Sequence, residues 1–354
     1  MVKNQMGIHS YGYSIVGSSH LKKGTICQDA NNTIKLDNGT VIAAIADGVG
    51  SCKYSDVASS IAVDVSLRVC ADEIKADGEC DLLKVIEKAF AQAEREIDKR
   101  SLSENHLITD YDTTLSLVIY DGKHIAYGHC GDGGIIGLTT EGDYIKTTSP
   151  QKTDGVYVIP LRAGKDTWII GRAEEEFAGV LLATDGVYDI FFPYLLKGQP
   201  VEVYVPLIRY FMDNNILKAS EKTIDAVGKE REDYLNSDAC VSITDDKTVV
   251  VLINGDVQPK LKEDKYYAEP DWDALQLEWN KKAYPHLYEK KEDSGMDAAT
   301  VLPPKDEALT PSNGGDQNSM SSAGNTSASP EEETPVDSHS KASGINRFRN
   351  LFKK

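Results

Sequence analysis

Apolar residues follow two rhythms along this chain. The six-residue run Val41-Ile42-Ala43-Ala44-Ile45-Ala46 predicts a strand buried on both faces. Ile8 to Gly17, rich in Tyr, Ile and Val, predicts another strand. Val57, Ile61, Val65 and Val69 recur every four residues, which predicts a helix over Ser55 to Lys75. Leu83, Ile86, Phe90, Ala93 and Ile97 step by three and four, with Lys84, Glu87, Lys88, Glu94, Arg95 and Lys99 on the opposite side. That is an amphipathic helix. Both stripes read as core contacts.

After Thr113 the rhythm shortens. Leu115 to Tyr120, His124 to Cys130, Ile135 to Leu138 and Tyr144 to Thr147 are short apolar runs broken by Asp121-Gly122 and Glu141-Gly142, which predicts an antiparallel meander. Val156 to Leu161, Trp168 to Ile170 and Val180 to Thr184 continue it. Helical character returns over Val203 to Met212 and Ser220 to Tyr234. Ala239 to Thr244 and Thr248 to Ile253 are expected to close the domain as a hairpin around Asp245-Asp246-Lys247. The sum is an α+β fold, two antiparallel sheets with helices outside.

The rhythm ends near Gly255, so residues 1–256 form the expected folded domain. Residues 257–302 hold one short predicted helix, with Trp272, Leu275 and Trp279 on one face, of a kind that docks on the domain or binds a partner. Residues 303–343 contain no aromatic side chain and are dominated by Ser, Gly, Asn, Pro and Glu, which predicts a disordered linker. Residues 344–354, with Arg347, Phe348, Arg349, Leu351, Phe352, Lys353 and Lys354, form a basic amphipathic tag suited to a partner or a membrane surface.

Charge and cysteine usage narrow the function. A formal charge of −18 over 354 residues argues against nucleic-acid binding, because phosphate backbones demand a basic footprint. An anionic substrate would need local help from metals or a few cations. The six cysteines include no Cys-x-x-Cys pair, so zinc spacing is absent. The first residues lack an apolar signal core, and no stretch approaches the length of a membrane span. A cytoplasmic protein with reduced thiols is expected.

Candidate chemistry lies in aspartates at strand ends. Asp47 ends the Val41–Ala46 run and precedes Gly48-Val49-Gly50; Asp185 ends Val180–Thr184 and precedes Gly186. Asp132 sits in Cys130-Gly131-Asp132-Gly133-Gly134, and Asp245 and Asp246 precede Thr248-Val249-Val250-Val251-Leu252-Ile253. A single such residue is ordinarily a turn aspartate bonding its own backbone. Four strand ends of this kind describe the wall of a hard-cation site for Mg²⁺ or Mn²⁺.

The ordered series Cys27-Gln28-Asp29, Ala46-Asp47-Gly48-Val49-Gly50, Asp112-Thr113-Thr114, Gly131-Asp132, Thr184-Asp185-Gly186-Val187-Tyr188-Asp189 and Asp245-Asp246-Lys247-Thr248 resembles the metal-dependent protein phosphatase 2C (PPM) family. Gly17-Ser18-Ser19-His20 and Gly24 to Ala30 resemble its bacterial branch, and the resemblance spans about residues 8 to 254. It implies a two-sheet sandwich flanked by helices. It implies that Asp47 bridges two Mg²⁺ or Mn²⁺ ions, that the Gly48 carbonyl adds a ligand, and that Asp185 and Asp245 hold the second ion. Asp29 and Gln28 would act through metal-bound water, and Asp132 with Asp185 would hold a looser third metal. A metal-activated bridging hydroxide would attack phosphorus without a phosphoenzyme intermediate.

Two positions depart from the pattern. Gly24 stands where many members have a phosphate-gripping arginine, leaving Lys22, Lys23 and His20 as candidate substitutes. Val49 stands where eukaryotic members place a histidine. These departures touch substrate grip and leave the metal ligands intact. His129, Asp246, Asp189 and Asp112 read as core, turn or supporting residues.

The expected function is a protein serine/threonine phosphatase that reverses a cognate Ser/Thr kinase in bacterial signalling, its partner a phosphorylated protein. The alternatives are a catalytically weak phosphoprotein-binding or scaffolding module and a metallohydrolase of small phosphoesters. Retention of Asp47, Asp185 and Asp245 opposes the first.

Overall fold

The protein is described from a computed structural model, which covers residues 7–154, 156–212 and 221–288. The chain opens with β1 (Ile8–Ile15), a short helix α1 (Ser18–Lys23), β2 (Ala30–Lys35) and β3 (Val41–Ala46). Two helices follow, α2 (Ser55–Ala76) and α3 (Leu82–Ser103). Next come β4 (Leu115–Tyr120), β5 (Ile125–Cys130), β6 (Gly134–Thr139) and β7 (Tyr144–Lys146). A small hairpin, β8 (Lys152–Thr153) and β9 (Tyr157–Val158), precedes β10 (Ile169–Arg172) and β11 (Phe177–Ala183). Helices α4 (Asp185–Phe191), α5 (Val205–Met212) and α6 (Glu221–Leu235) lead to β12 (Lys247–Asn254).

The large strands form two five-stranded sheets, ordered β1-β12-β11-β6-β7 and β10-β5-β4-β3-β2. Every pairing in them is antiparallel. Strand β3 shows why its sequence is an unbroken apolar run. Val41, Ala43 and Ile45 join Val118, Ile135, Val180 and Val250 in one core cluster, which draws on both sheets. Ile42, Ala44 and Ala46 join Ala58, Ala62, Phe90 and Ala93 of α2 and α3 in the other. Both faces of the strand are covered, so alternation disappears.

Helix α3 behaves as its pattern predicts, burying Ile86, Phe90, Ala93 and Ile97. Asp81 caps it by accepting from the Leu83 N–H at 3.1 Å. Helix α2 spans the expected residues but faces the core differently. Its fully buried side is Ala58, Ser59, Ala62, Val63, Ser66, Leu67 and Cys70, while Val57, Ile61 and Val69 lie half-buried at its flank. Small residues at the contact bring the helix backbone close to the sheet, and the β-branched stripe fills the edge of the interface.

Three strand expectations need correction. Residues 239–244 form no strand: a 3₁₀ turn at Asp238–Cys240 stands there instead. Strand β12 already pairs β1 on one edge and β11 on the other, which leaves no edge for a hairpin partner. Val156 to Leu161 contributes the two residues of β9 before Pro160, which carries no N–H, and a 3₁₀ turn at Leu161–Ala163. The meander is also split between sheets. After Cys130 the chain crosses over, so that β6 and β7 join the sheet of β11 and β12. Strand β2 and helices α1 and α4 had no counterpart in the sequence pattern.

Beyond β12, the segment to Glu269 is tied back to the domain. Lys260 N–H donates to the Thr140 carbonyl at 2.9 Å, Lys262 pairs with Asp143 at 2.7 Å, and Tyr204 Oη donates to Glu269. A second unit begins at Trp272; its described part is α7 (Trp272–Ala283) and α8 (Pro285–Tyr288). On α7, Trp272 is buried and Leu275 and Trp279 are half-buried, the face the sequence marked. The expected linker, 303–343, and tag, 344–354, lie outside the described residues. No helix among the described residues is long and apolar enough to cross a membrane.

Candidate functional site

Antiparallel pairing brings the marked aspartates to one end of the sandwich. Asp47 follows β3 and Asp132 follows β5, and these strands run in the same direction on either side of β4. Asp29 precedes β2, which runs opposite to β3. In the other sheet Asp185 follows β11, while Asp245 precedes the antiparallel β12. Asp132 lies in the link where the chain passes from one sheet to the other.

Carboxylate oxygens of Asp47, Asp132 and Asp185 lie within 4.8 Å of one another. Asp245, also expected as a ligand, lies outside that group: it is exposed, its charge acts on Asp47 and Asp185, and its Oδ1 accepts from the Asp246 N–H at 2.9 Å. Asp29 is buried, and its Oδ2 accepts from Thr184 Oγ1 at 2.8 Å. Asp29 Oδ1 and Asp185 Oδ1 are buried without a hydrogen-bond partner. An oxygen-only donor set with orphaned buried oxygens fits a hard divalent cation.

The backbone around these residues is held tightly. The Asp47 N–H donates to Thr114 Oγ1 at 2.8 Å, and its carbonyl accepts from Thr113 Oγ1 at 2.9 Å and the Thr114 N–H at 2.8 Å. Gly48 donates its N–H to the Gln28 carbonyl at 3.1 Å. A Cβ on Gly48 would stand 2.7 Å from that oxygen and from the Ser55 backbone, and one on Gly186 would stand 2.2 Å from the Asp246 carbonyl. The glycines beside Asp47 and Asp185 thus serve close backbone approach, where any side chain would collide.

Mutual repulsion of the carboxylates shows in their acidities. Burial, and then the negative charges of Asp29, Asp185, Asp245 and Asp132, hold Asp47 well above the usual carboxylate range. Asp185 is pushed up to about 8 by burial and by Asp132, Asp245 and Asp189, with Lys152 acting in the opposite sense. Burial pushes Asp29 up to about 7, against hydrogen bonds from Thr248 and Thr184 that favour its ionised form. A cluster this reluctant to ionise is one that bound cations would stabilise.

Of the remaining candidates, Gln28 donates Nε2 to Ser55 Oγ at 2.7 Å, and its Oε1 is buried without a partner. Its N–H donates to Asp246 Oδ2 at 2.6 Å. Asp246 Oδ1 accepts from the Gly17 N–H at 2.6 Å and lies 2.9 Å from His20 Nδ1. Asp246 is therefore a buried hub that fixes the segment from Gly17 to Gln28. His20 is buried against this hub, which differs from the phosphate-binding position considered for it. Lys22 and Lys23 are exposed in the last turn of α1. Gly24 caps that helix in the left-handed region at φ 71°, its N–H donating to the Leu21 carbonyl. Asp112 is held by a two-pronged pair from Arg162, both bonds 2.7 Å. His129 is fully buried on Ser116 Oγ at 2.8 Å, and burial pushes it down to about 4, as a core residue.

The sequence did not single out Thr184 as the tie to Asp29, or Lys152, whose Nζ lies 3.1 Å from Asp132 Oδ2. Thr184 could have been flagged by its place between a buried strand and an aspartate. Lys152, in the two-residue exposed strand β8, carried no signal.

A model of the protein phosphatase 2C family matches residues 16–222, more than half of the 354-residue chain. The chain belongs to the protein phosphatase 2C family. The matched segment contains every candidate site residue named above except Asp245 and Asp246. No curated protein matches this phosphatase in sequence. Among solved structures, it is similar to the catalytic domain of the serine/threonine protein phosphatase PstP in complex with two manganese ions. Identity there is 18%, the TM-score is 0.49, and the match covers 70% of this chain and 97% of that one. The Mycobacterium tuberculosis serine/threonine phosphatase PstP/Ppp gives 18% identity and a TM-score of 0.48, over 70% of this chain and 98% of that one. PppA of Pseudomonas aeruginosa gives 16% and 0.45, over 70% and 97%.

Proposed function

We propose that this family member hydrolyses phosphoserine and phosphothreonine in proteins, using two Mg²⁺ or Mn²⁺ ions. The observation that carries the reading is the convergence of Asp47, Asp132 and Asp185 within 4.8 Å, delivered by both sheets. Asp47, the Gly48 carbonyl, Asp185 and Asp245 are the groups that would hold the ions. When bound, the ions neutralise phosphoryl oxygens and activate water for in-line attack.

The protein's own groups hold that machinery still. Thr184 fixes the Asp29 carboxylate, whose Oδ1 is buried without a hydrogen-bond partner. Thr113 and Thr114 lock the Asp47 backbone at both its N–H and its carbonyl. Asp246 ties down the Gly17–Gln28 segment that walls the site. A cysteine nucleophile finds no support: burial, with the charges of Asp29 and Asp246, pushes Cys27 up to about 12, so its thiol stays protonated. In the cell, such an enzyme reverses a Ser/Thr kinase in the cytoplasm.

The test is turnover of a phosphothreonine peptide beside a nucleotide and a sugar phosphate, with and without Mn²⁺. Mn²⁺-dependent turnover preferring the peptide is expected. Preference for the small esters would make the chain a small-phosphoester hydrolase, and no turnover of any would leave a binding module.

A further inference from the structure

The ammonium of Lys152 stands on Asp132, a member of the carboxylate cluster. Its Nζ is 3.1 Å from Asp132 Oδ2, and the Asp132 side chain is only 10% exposed. This differs from the many ion pairs on the exterior, such as Lys260–Glu141, where both side chains are more than half exposed. The charge of Lys152 also acts on Asp185 and Asp189.

The root of Lys152 is built into the site. Its neighbour Gln151 donates its N–H to the Gly131 carbonyl at 2.7 Å, and Gly131 returns its own N–H to Gln151 Oε1 at 3.1 Å. Gln151 Nε2 donates to the Thr167 carbonyl at 2.7 Å, and its carbonyl accepts from Ile159 at 3.2 Å. Residue 151 is thereby fastened to the residue before Asp132, and Lys152 begins β8 from that anchor.

We propose that Lys152 is a tethered cation that takes the Asp132 side of the cluster and restricts it to two divalent ions. The inference rests on the metal-centre reading above. A carboxylate oxygen engaged by an ammonium is a weaker ligand for a second cation, and a divalent ion placed beside that ammonium meets like-charge repulsion. Asp185 lies within the same 4.8 Å cluster as Asp132 and has a buried unpartnered Oδ1 open to a further cation. The oxygens for a third ion are therefore present, and what opposes it is Lys152.

The experiment counts Mn²⁺ on the full chain by calorimetry and by the electron paramagnetic resonance of free Mn²⁺. The native chain is expected to bind two ions. Lys152→Gln should bind a third at least tenfold more tightly than the native chain does, and Lys152→Arg should remain at two. Adding Asp132→Asn to Lys152→Gln should remove the extra ion, which places it on Asp132. Circular dichroism matching that of the native chain checks each variant's fold. Equal stoichiometry and affinity in the native chain and Lys152→Gln overturns this inference alone. A native chain that binds no Mn²⁺ overturns the metal-centre reading as well.

Discussion

Thr184 Oγ1 donates to Asp29 Oδ2 at 2.8 Å, joining the end of β11 in one sheet to the start of β2 in the other. The same hydroxyl accepts from the Thr248 N–H at 3.1 Å, so one side chain satisfies two groups, one before β2 and one on β12. Thr184→Val keeps the volume and removes the hydroxyl. It leaves a buried carboxylate oxygen and a buried N–H short of a partner, a loss of about 2 kcal/mol. Urea unfolding should show this loss, and weaker Mn²⁺ binding should accompany it. Unchanged stability would mean the bond does not position Asp29.

How much of this was legible in the sequence depends on burial. Strand β3 and helix α3 could be read because apolar residues line whatever they bury, on both faces of β3 and along one stripe of α3. Strand β2 is an edge strand whose residues are half-buried or exposed, so Ala-Asn-Asn-Thr-Ile-Lys shows no rhythm. Helix α1, at six residues, is too short for periodicity. The aspartates of the site were legible because strand ends mark themselves. Their partners were not, since Thr184 and Lys152 act through contacts 155 and 20 residues distant in sequence, a separation no local pattern encodes.

Metal-free stability should fall as pH rises. Folded Asp29 titrates near 7 and folded Asp185 near 8, against an ordinary value of 3.8. Between these limits the folded chain holds protons that the unfolded chain has released. Their stabilising contribution is complete below the ordinary value and is lost as pH climbs through 7 and 8. Thermal unfolding with a chelator should therefore give a lower Tm near pH 8 than near pH 5, with Asp185→Asn flattening the difference. Mn²⁺ binds the ionised form, so the Tm gain it gives should grow with pH. A metal-free Tm that rises with pH, in a manner Asp185→Asn leaves untouched, would contradict the assignment.

Asp246 accepts from Gly17 and Gln28 and faces His20, all from inside the fold. Asp246→Ala strands these donors at once and should cost about 3 kcal/mol or more. The segment from Gly17 to Gln28 should become the first site of cleavage in limited proteolysis. Resistance equal to the native chain's would show that the segment is held by other contacts.

Gly24 stands where the family resemblance expects a phosphate-gripping arginine. Its φ of 71° ends α1, and a Cβ there would meet nothing within 4 Å. Gly24→Arg therefore has space but pays in backbone strain, about 1 kcal/mol. Denaturant unfolding should show that loss. A guanidinium that reaches the phosphate would lower KM for a phosphopeptide, and a variant of native stability would show that the turn relaxes.

We propose that carboxylates gathered from two sheets would hold the ions with which this chain hydrolyses a phosphoprotein. This is tested most directly by phosphothreonine-peptide turnover in the native chain and in Asp47→Asn, each titrated with Mn²⁺ from a chelated start. Turnover that appears with Mn²⁺ in the native chain, and is lost in Asp47→Asn together with two-ion binding in calorimetry, is the predicted result. Turnover that persists in the chelated native chain, or that Asp47→Asn retains at native Mn²⁺ affinity, would contradict it.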